Sequence, residues 1–181
     1  MNDGMPLSIE ALIGIVAAEV LLDAIKTSAL LTQLGVPHAL IGGLAIGLYG
    51  HPRATKDVDY LVDDSAFAST KPLLVYRQEL ATVVKMGVVD LLAIPTGRAV
   101  LRELLELPNP GVIPVIGLPA LVMMKLDAGR TQDMADINAV LDAGANPDII
   151  GMFLAESAPD LRDQFAELLD RRSRKVESGE Q

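Results

Sequence analysis

Apolar residues recur near helical spacing at Leu12, Ile15, Val16, Val20 and Ile25. This predicts a helix over residues 9–34, capped by Ser8 and closed by Gly35 in the left-handed region. The pattern then shortens. Residues 36–41 form an apolar run that ends at Gly42-Gly43, as a buried strand would, and residues 44–49 form a brief helix stopped by Gly50 and Pro52. Residues 57–62 begin with polar-apolar alternation and predict a second strand, followed by a turn at Asp63-Asp64-Ser65. The Val- and Leu-rich stretch 73–94, with breaks near Gln78-Glu79 and at Gly87, predicts two or three more strands, the last over 88–94.

Beyond residue 95 the periodicity is helical. Thr96 can cap a helix to Leu107, in which Leu101, Leu104 and Leu105 share a face, and residues 112–116 form a last short strand that Pro114 confines to a sheet edge. Pro119 suits the first turn of a helix reaching Ala128. Further helices are predicted over 130–141, ending at Gly144, from Asn146-Pro147, and from Ser157 to about Lys175. These elements predict an α+β fold: a small mixed sheet of four or five strands, covered by the N-terminal helix and followed by a helical C-terminal part. Residues 1–145 would form the main domain and 146–181 a C-terminal helical extension with a short disordered tail at 176–181.

Composition narrows the picture. The 181 residues suit one domain, which usually has roughly 100–200. Half are hydrophobic but only 3% aromatic, so the core is built from Leu, Ile, Val, Ala and Met. With no Cys there are no disulfides, thiolate metal sites or Cys nucleophile, and metal ligands must come from carboxylates and two histidines. His38 and His51, thirteen apart around a glycine turn, read as packing or surface residues. Two charge-poor stretches, 27–55 apart from Arg53 and 107–124, are broken by Gly and Pro and do not suit a spanning helix, which needs about 20 uninterrupted apolar residues. No positively charged segment follows Met1, so the expected location is cytoplasmic. A net charge of −9 disfavours adhesion to nucleic acid or anionic membrane; the densest basic run is Arg171-Arg172-Ser173-Arg174-Lys175.

The chemistry concentrates at Ile41-Gly42-Gly43, followed after thirteen residues by Asp57-Val58-Asp59, with Asp90 alone in an apolar strand. Residues two apart on a strand share a face, so Asp57 and Asp59 project together, and a neighbouring strand can bring Asp90 beside them. Clustered carboxylates repel one another without cations, and hard oxygen ligands suit Mg²⁺, two ions standing about 3.5–4 Å apart. Backbone N–H groups at a glycine pair can approach a phosphate closely. Arg53, Lys56 and Lys125 supply positive charge. A phosphatase-type Asp-x-Asp-x-Thr is excluded because Leu61 holds the Thr position.

Residues 41–62, Ile-Gly-Gly-Leu-Ala-Ile-Gly-Leu-Tyr-Gly-His-Pro-Arg-Ala-Thr-Lys-Asp-Val-Asp-Tyr-Leu-Val, resemble the signature of the DNA polymerase β-like nucleotidyltransferase superfamily. The Tyr-Gly-x-Pro-Arg-x-Thr-x-Asp-x-Asp run, with the segment from Lys125 through Arg130, Asp133 and Asp136 to Ile137, is similar to its AbiEii-type branch, which includes toxins of bacterial toxin–antitoxin systems. The likeness spans about residues 30–142. It implies that Gly42 and Gly43 hold the phosphates of an NTP, that Asp57, Asp59 and Asp90 bind the metals, Asp90 also helping to deprotonate an acceptor hydroxyl, and that Lys125 faces the triphosphate. Asp136 would serve the same site or hold a helix in place through Arg130. The implied acceptors are an RNA 3′ end, a protein or a small molecule, and a cognate antitoxin is an implied partner. One departure stands out: only 25 residues separate Asp64 from Asp90, leaving about one turn of the helix that such proteins place after the Asp-x-Asp strand. The shortened region motivates an alternative, a catalytically silent relative acting as a binding or regulatory module.

Overall fold

In a computed structural model, which describes residues 5–63, 66, 88–107 and 111–178, the chain is mixed α+β. The expected strands within 73–87 and the turn at Asp64-Ser65 lie outside the described residues. Seven helices and a three-stranded sheet are present among the residues described: α1 (Ala18–Gln33), β1 (His38–Ile41), α2 (Gly42–Leu48), β2 (Val58–Val62), β3 (Val89–Ala93), α3 (Val100–Glu106), α4 (Leu118–Ala128), α5 (Thr131–Asp142), α6 (Pro147–Ser157) and α7 (Arg162–Ser178). Short 3₁₀ turns sit at Ile9–Leu12 and Pro159–Leu161.

The sheet order is β1-β2-β3, with β1 antiparallel and β3 parallel to β2. The strand expected at 112–116 is reduced to one parallel bridge, Leu40 to Val115, made by Leu40 N–H to the Pro114 carbonyl (2.7 Å) and Ile116 N–H to the Leu40 carbonyl (3.1 Å). Both directions of growth are blocked. The next bond toward His38 requires an N–H that Pro114 lacks, and the other way β1 gives out at Gly42, where α2 begins.

The long N-terminal helix expected over 9–34 is also divided. Gly14 adopts φ 85° and Ile13 is extended, so the chain turns once at Ile9–Leu12 and restarts as α1 at Ala18. Pro119 and Asn146 behave as their chemistry predicts. Pro119 lies in the first turn of α4, and the Asn146 side chain accepts from the N–H groups of Asp148 and Ile149 at the start of α6. α7 continues to Ser178, past the Lys175 suggested by the pattern, and 179–181 lie outside the described residues.

One hydrophobic core runs from Ile9 and Leu12 through the sheet and α4 to Leu154, Phe165 and Leu168 of the C-terminal helices. Tyr60 is fully buried in β2, and its hydroxyl donates to the Ala24 carbonyl of α1 (2.8 Å), fastening that helix to the sheet. Arg98 binds Asp127 at the end of α4 and Asp160 before α7, two donors to each carboxylate. It thereby joins the β3–α3 connection to the C-terminal helices.

His38 is a buried packing residue. Its Nδ1 lies 2.8 Å from the Val36 carbonyl, which can only accept, so Nδ1 carries the proton and Nε2 accepts from the Ser28 hydroxyl at 2.9 Å. Its ring meets Tyr60 edge-on at 5.6 Å. Burial, only partly offset by the Val36 carbonyl, lowers its pKa from the ordinary value of 6.5. A group charged more readily in the unfolded chain contributes stability above the unfolded pKa that is lost as pH falls below it. Thermal unfolding followed between pH 7.5 and about 5 should therefore show Tm falling on the acid side of 6.5, with a shallower fall in a His38→Gln variant.

Candidate functional site

β2 and β3 run parallel in a register that sets Asp59 directly beside Asp90, while Ile41 of β1 stands opposite Asp59 on the other side. Lateral neighbours in a sheet share a face at a strand spacing of about 4.8 Å, so Asp59 and Asp90 project together. Asp57 lies one residue before β2 and is exposed, as is Asp90, whereas Asp59 is half-buried. Burial pushes the Asp59 carboxyl above the usual carboxylate range. The charges of Asp90 and then Asp57 push it further, against the opposing pull of Lys125 and Arg130. All three acidic residues singled out in the sequence thus interact electrostatically at one end of β2.

The glycine pair has a different immediate use from the one its sequence suggests. Gly42 has φ 67°, and a Cβ there would land on the Asp59 Oδ2 atom and within 2.7 Å of Cγ. The space that a side chain at residue 42 would take is filled by the Asp59 carboxylate. At Gly43 a Cβ would meet Thr55 Oγ1 at 3.1 Å and Arg53 Nη2 at 3.3 Å. The pair lets the 53–59 segment, with the Asp59 carboxylate, lie against the start of α2.

Asp59 and Asp90 face a cavity of about 420 Å³, lined on its polar side also by Gly42, Lys125, Arg130 and Asp133 and on its apolar side by Leu91, Leu121 and Met124. The cations come from α4 and the start of α5, which meet at Gly129, φ 63°. Lys125 is not free: Nζ donates to Asp133 (2.9 Å) and to Asp136 (2.7 Å), and all three side chains are at least nine-tenths buried. Asp136 also accepts two bonds from Arg53, both 3.1 Å, and one from Gln132, 2.9 Å. Arg130 pairs instead with Asp133, at 2.6 Å and 3.3 Å. Asp136 is therefore held by Arg53, Lys125 and Gln132, and the expected Arg130–Asp136 tie is replaced by Arg130–Asp133. Burial raises the pKa of both carboxylates, but the donors outweigh it and hold each below the ordinary value.

Lys56 is exposed, and Arg53 stands over Gly43 with its guanidinium turned to Asp136. The motif resemblance gives Asp133 no role of its own, although the sequence carries a signal for one. A single Lys inside the apolar helix 118–128, followed by two Asp three apart on one helical face, calls for buried partners.

Among the described residues no group of three or more carboxylates or histidines is arranged to cage a metal ion. Mg²⁺ asks for less, one or two carboxylates with waters and substrate phosphate completing the shell. The Asp59–Asp90 pair fits that need, and the raised Asp59 pKa marks a carboxylate that a cation would relieve.

Two substitutions test this construction. Gly42→Ala should cost several kcal/mol in chemical denaturation. In the Gly42→Ala/Asp59→Ala double variant part of that loss should return, leaving about 1–2 kcal/mol of left-handed strain. Asp136→Ala should cost about 3–5 kcal/mol, because it strips a buried ammonium and a guanidinium of a shared partner; a loss below 1 kcal/mol in the same measurement would remove the network from its structural role. Comparison of the chain with family models finds no match, and neither does comparison with curated proteins.

Proposed function

We propose that this chain is a Mg²⁺-dependent nucleotidyltransferase of the polymerase β-like fold, moving a nucleoside monophosphate from an NTP to an acceptor hydroxyl. The observation that carries the reading is the pairing of Asp59 with Asp90 across parallel strands, above a glycine turn and facing the cations of Lys125 and Arg130 in one cavity. The motif resemblance implies a strand that leads through a glycine pair into an Asp-x-Asp strand, and β1, α2 and β2 follow one another in that order.

In the transfer, an acceptor oxygen forms a bond to the α-phosphorus as the bond from that phosphorus to the bridging oxygen breaks, releasing pyrophosphate. The acceptor proton passes to a base, for which Asp90, exposed at the cavity, is the assigned group. Bound Mg²⁺ would lower the pKa of the acceptor hydroxyl and neutralise charge on the leaving group. Asp59 and Asp90 would hold the metal, while Asp57, which acts on Asp59 through its charge, does not line the cavity. Strand register places the Asp59 and Asp90 carboxylates that would hold the metal, and positioning supplies most of the rate in such reactions. The apolar wall of Leu91, Leu121 and Met124 gives the nucleoside a dry surface. A toxin acting on a cellular RNA or protein, restrained by a cognate antitoxin, is the biological form of this proposal.

The test combines transfer with stability. Incubation with α-labelled NTPs, Mg²⁺ and cell extract should label an acceptor, and Asp59→Asn or Asp90→Asn should lower the rate by at least about a hundredfold, as expected when a metal-site charge is lost. Equal labelling by wild type and variants would overturn the metal site. Absence of labelling with every NTP, together with no Mg²⁺-dependent NTP binding, would favour a catalytically silent binding module.

A second expectation follows from the sign of the Asp59 shift. Its folded pKa lies above the unfolded value, so the charged form burdens the fold at neutral pH and the burden disappears below the unfolded pKa. Without Mg²⁺, Asp59→Asn should raise Tm at pH 7 and leave it unchanged near pH 3, whereas adding Mg²⁺ should raise Tm of the wild type only.

A further inference from the structure

The cavity is bordered by cations in unequal circumstances. Lys125 lines it with a side chain only 8% exposed, and it is committed to two carboxylates that are themselves buried. Withdrawing it would leave both with less than they need. Arg53 binds Asp136 through two donors and does not line the cavity. Arg130 lines the cavity, its side chain is 76% exposed, and its one carboxylate partner, Asp133, keeps Lys125 at 2.9 Å if Arg130 departs. A guanidinium at the mouth can thus change partners without orphaning a buried charge.

We propose that Arg130 is the exchangeable cation of this site, leaving Asp133 to bind the polyphosphate of the incoming substrate, while Lys125 stays in place as a positioning residue that holds Asp133 and Asp136. The inference rests on the nucleotidyltransferase reading for the identity of the substrate, and its chemistry is recognition of a polyphosphate anion. The planar fork that now grips Asp133 matches a phosphate equally well. Asp133 acts as a parking place, keeping the side chain beside the cavity before the anion arrives. The Asp59 and Asp90 carboxylates, which would hold the metal, and the Arg130 guanidinium line one cavity, so an anion bound there would have both within reach.

Calorimetric titration of the full chain with Mg²⁺-tripolyphosphate tests this directly, in wild type, Arg130→Gln and Arg130→Lys, with Tm recorded for each. Arg130→Gln should bind about ten- to a hundredfold more weakly at nearly unchanged Tm, the effect of losing one charge-assisted contact, and Arg130→Lys should recover part of the affinity. In the transfer assay the same variant should raise KM for NTP more than it lowers kcat. Equal tripolyphosphate binding by wild type and Arg130→Gln overturns the assignment, and so does absence of binding by the wild type. Arg130-dependent tripolyphosphate binding without any transfer of label would uphold the anion site and remove the transferase reading.

Discussion

The structure turns on the carboxylate of Asp136. It is fully enclosed, and its two oxygens take donors from Arg53, Lys125 and Gln132, which reach it from the β2 approach, from α4 and from its own helix. An ionised carboxylate moved out of water bears a desolvation penalty of several kcal/mol, and only a full set of donors in good geometry offsets it. Each donor therefore has one place to be. Arg53 fixes the segment that leads into β2, Lys125 fixes α4 against α5, and the two together determine how the helical half faces the sheet. Asp133 repeats the device one turn earlier with Lys125 and Arg130.

The acidic pair on the sheet is placed by strand register, and Lys125 and Arg130 offset its charge only in part. Asp59 is set beside Asp90 by the ladders on both sides of β2, and its carboxylate occupies the space that a side chain at residue 42 would take. Burial first, and then the charges of Asp90 and Asp57, raise the Asp59 pKa, so a cation bound between these carboxylates would favour their charged forms. Lys125 and Arg130, the two cations of the network around Asp133 and Asp136 that line the cavity, lower the same pKa. Two opposed clusters, one short of positive charge and one with an excess, suit a ligand that carries both a metal and phosphates.

Much of this was readable from the chain. Apolar runs and periodicity marked β1, β2 and the helices from α4 onward, because these elements bury apolar side chains, and they marked β3 although only Val89 of that strand is buried; the Gly-Gly to Asp-x-Asp spacing marked the site. Three features were not readable, each for a physical reason. The division of the 9–34 helix depends on Gly14 taking φ 85°, which the surrounding apolar spacing does not reveal. The edge strand at 112–116 failed because a single N–H, that of Pro114, was missing at the position where the ladder had to grow. The reason for Gly42 depended on register. Only when Asp59 is set opposite Ile41 does its carboxylate fall on the site of the absent Cβ. The Arg53–Asp136 pair joins residues 83 positions apart, beyond any local pattern.

The distribution of positive charge bears on the acceptor. The basic run at the end of α7 is the densest in the sequence, yet Arg171 pairs with Glu167, Arg174 with Asp170, and Arg172 with Asp142 and the Asn138 amide oxygen and carbonyl. Arg98 and Arg102 are likewise joined to aspartates. Affinity for a nucleic-acid backbone grows with the number of phosphates that lysine and arginine neutralise, and each of these side chains would have to abandon a carboxylate to contribute. On a chain of net charge −9, an extended backbone track along these arginines is electrostatically disfavoured. On the transferase reading proposed above, recognition of an acceptor would fall to the neighbourhood of the cavity, where the sheet carboxylates and the α4–α5 cations supply the polar groups. A single acceptor hydroxyl presented at a chain end or on a small surface suits that geometry better than a long duplex or strand.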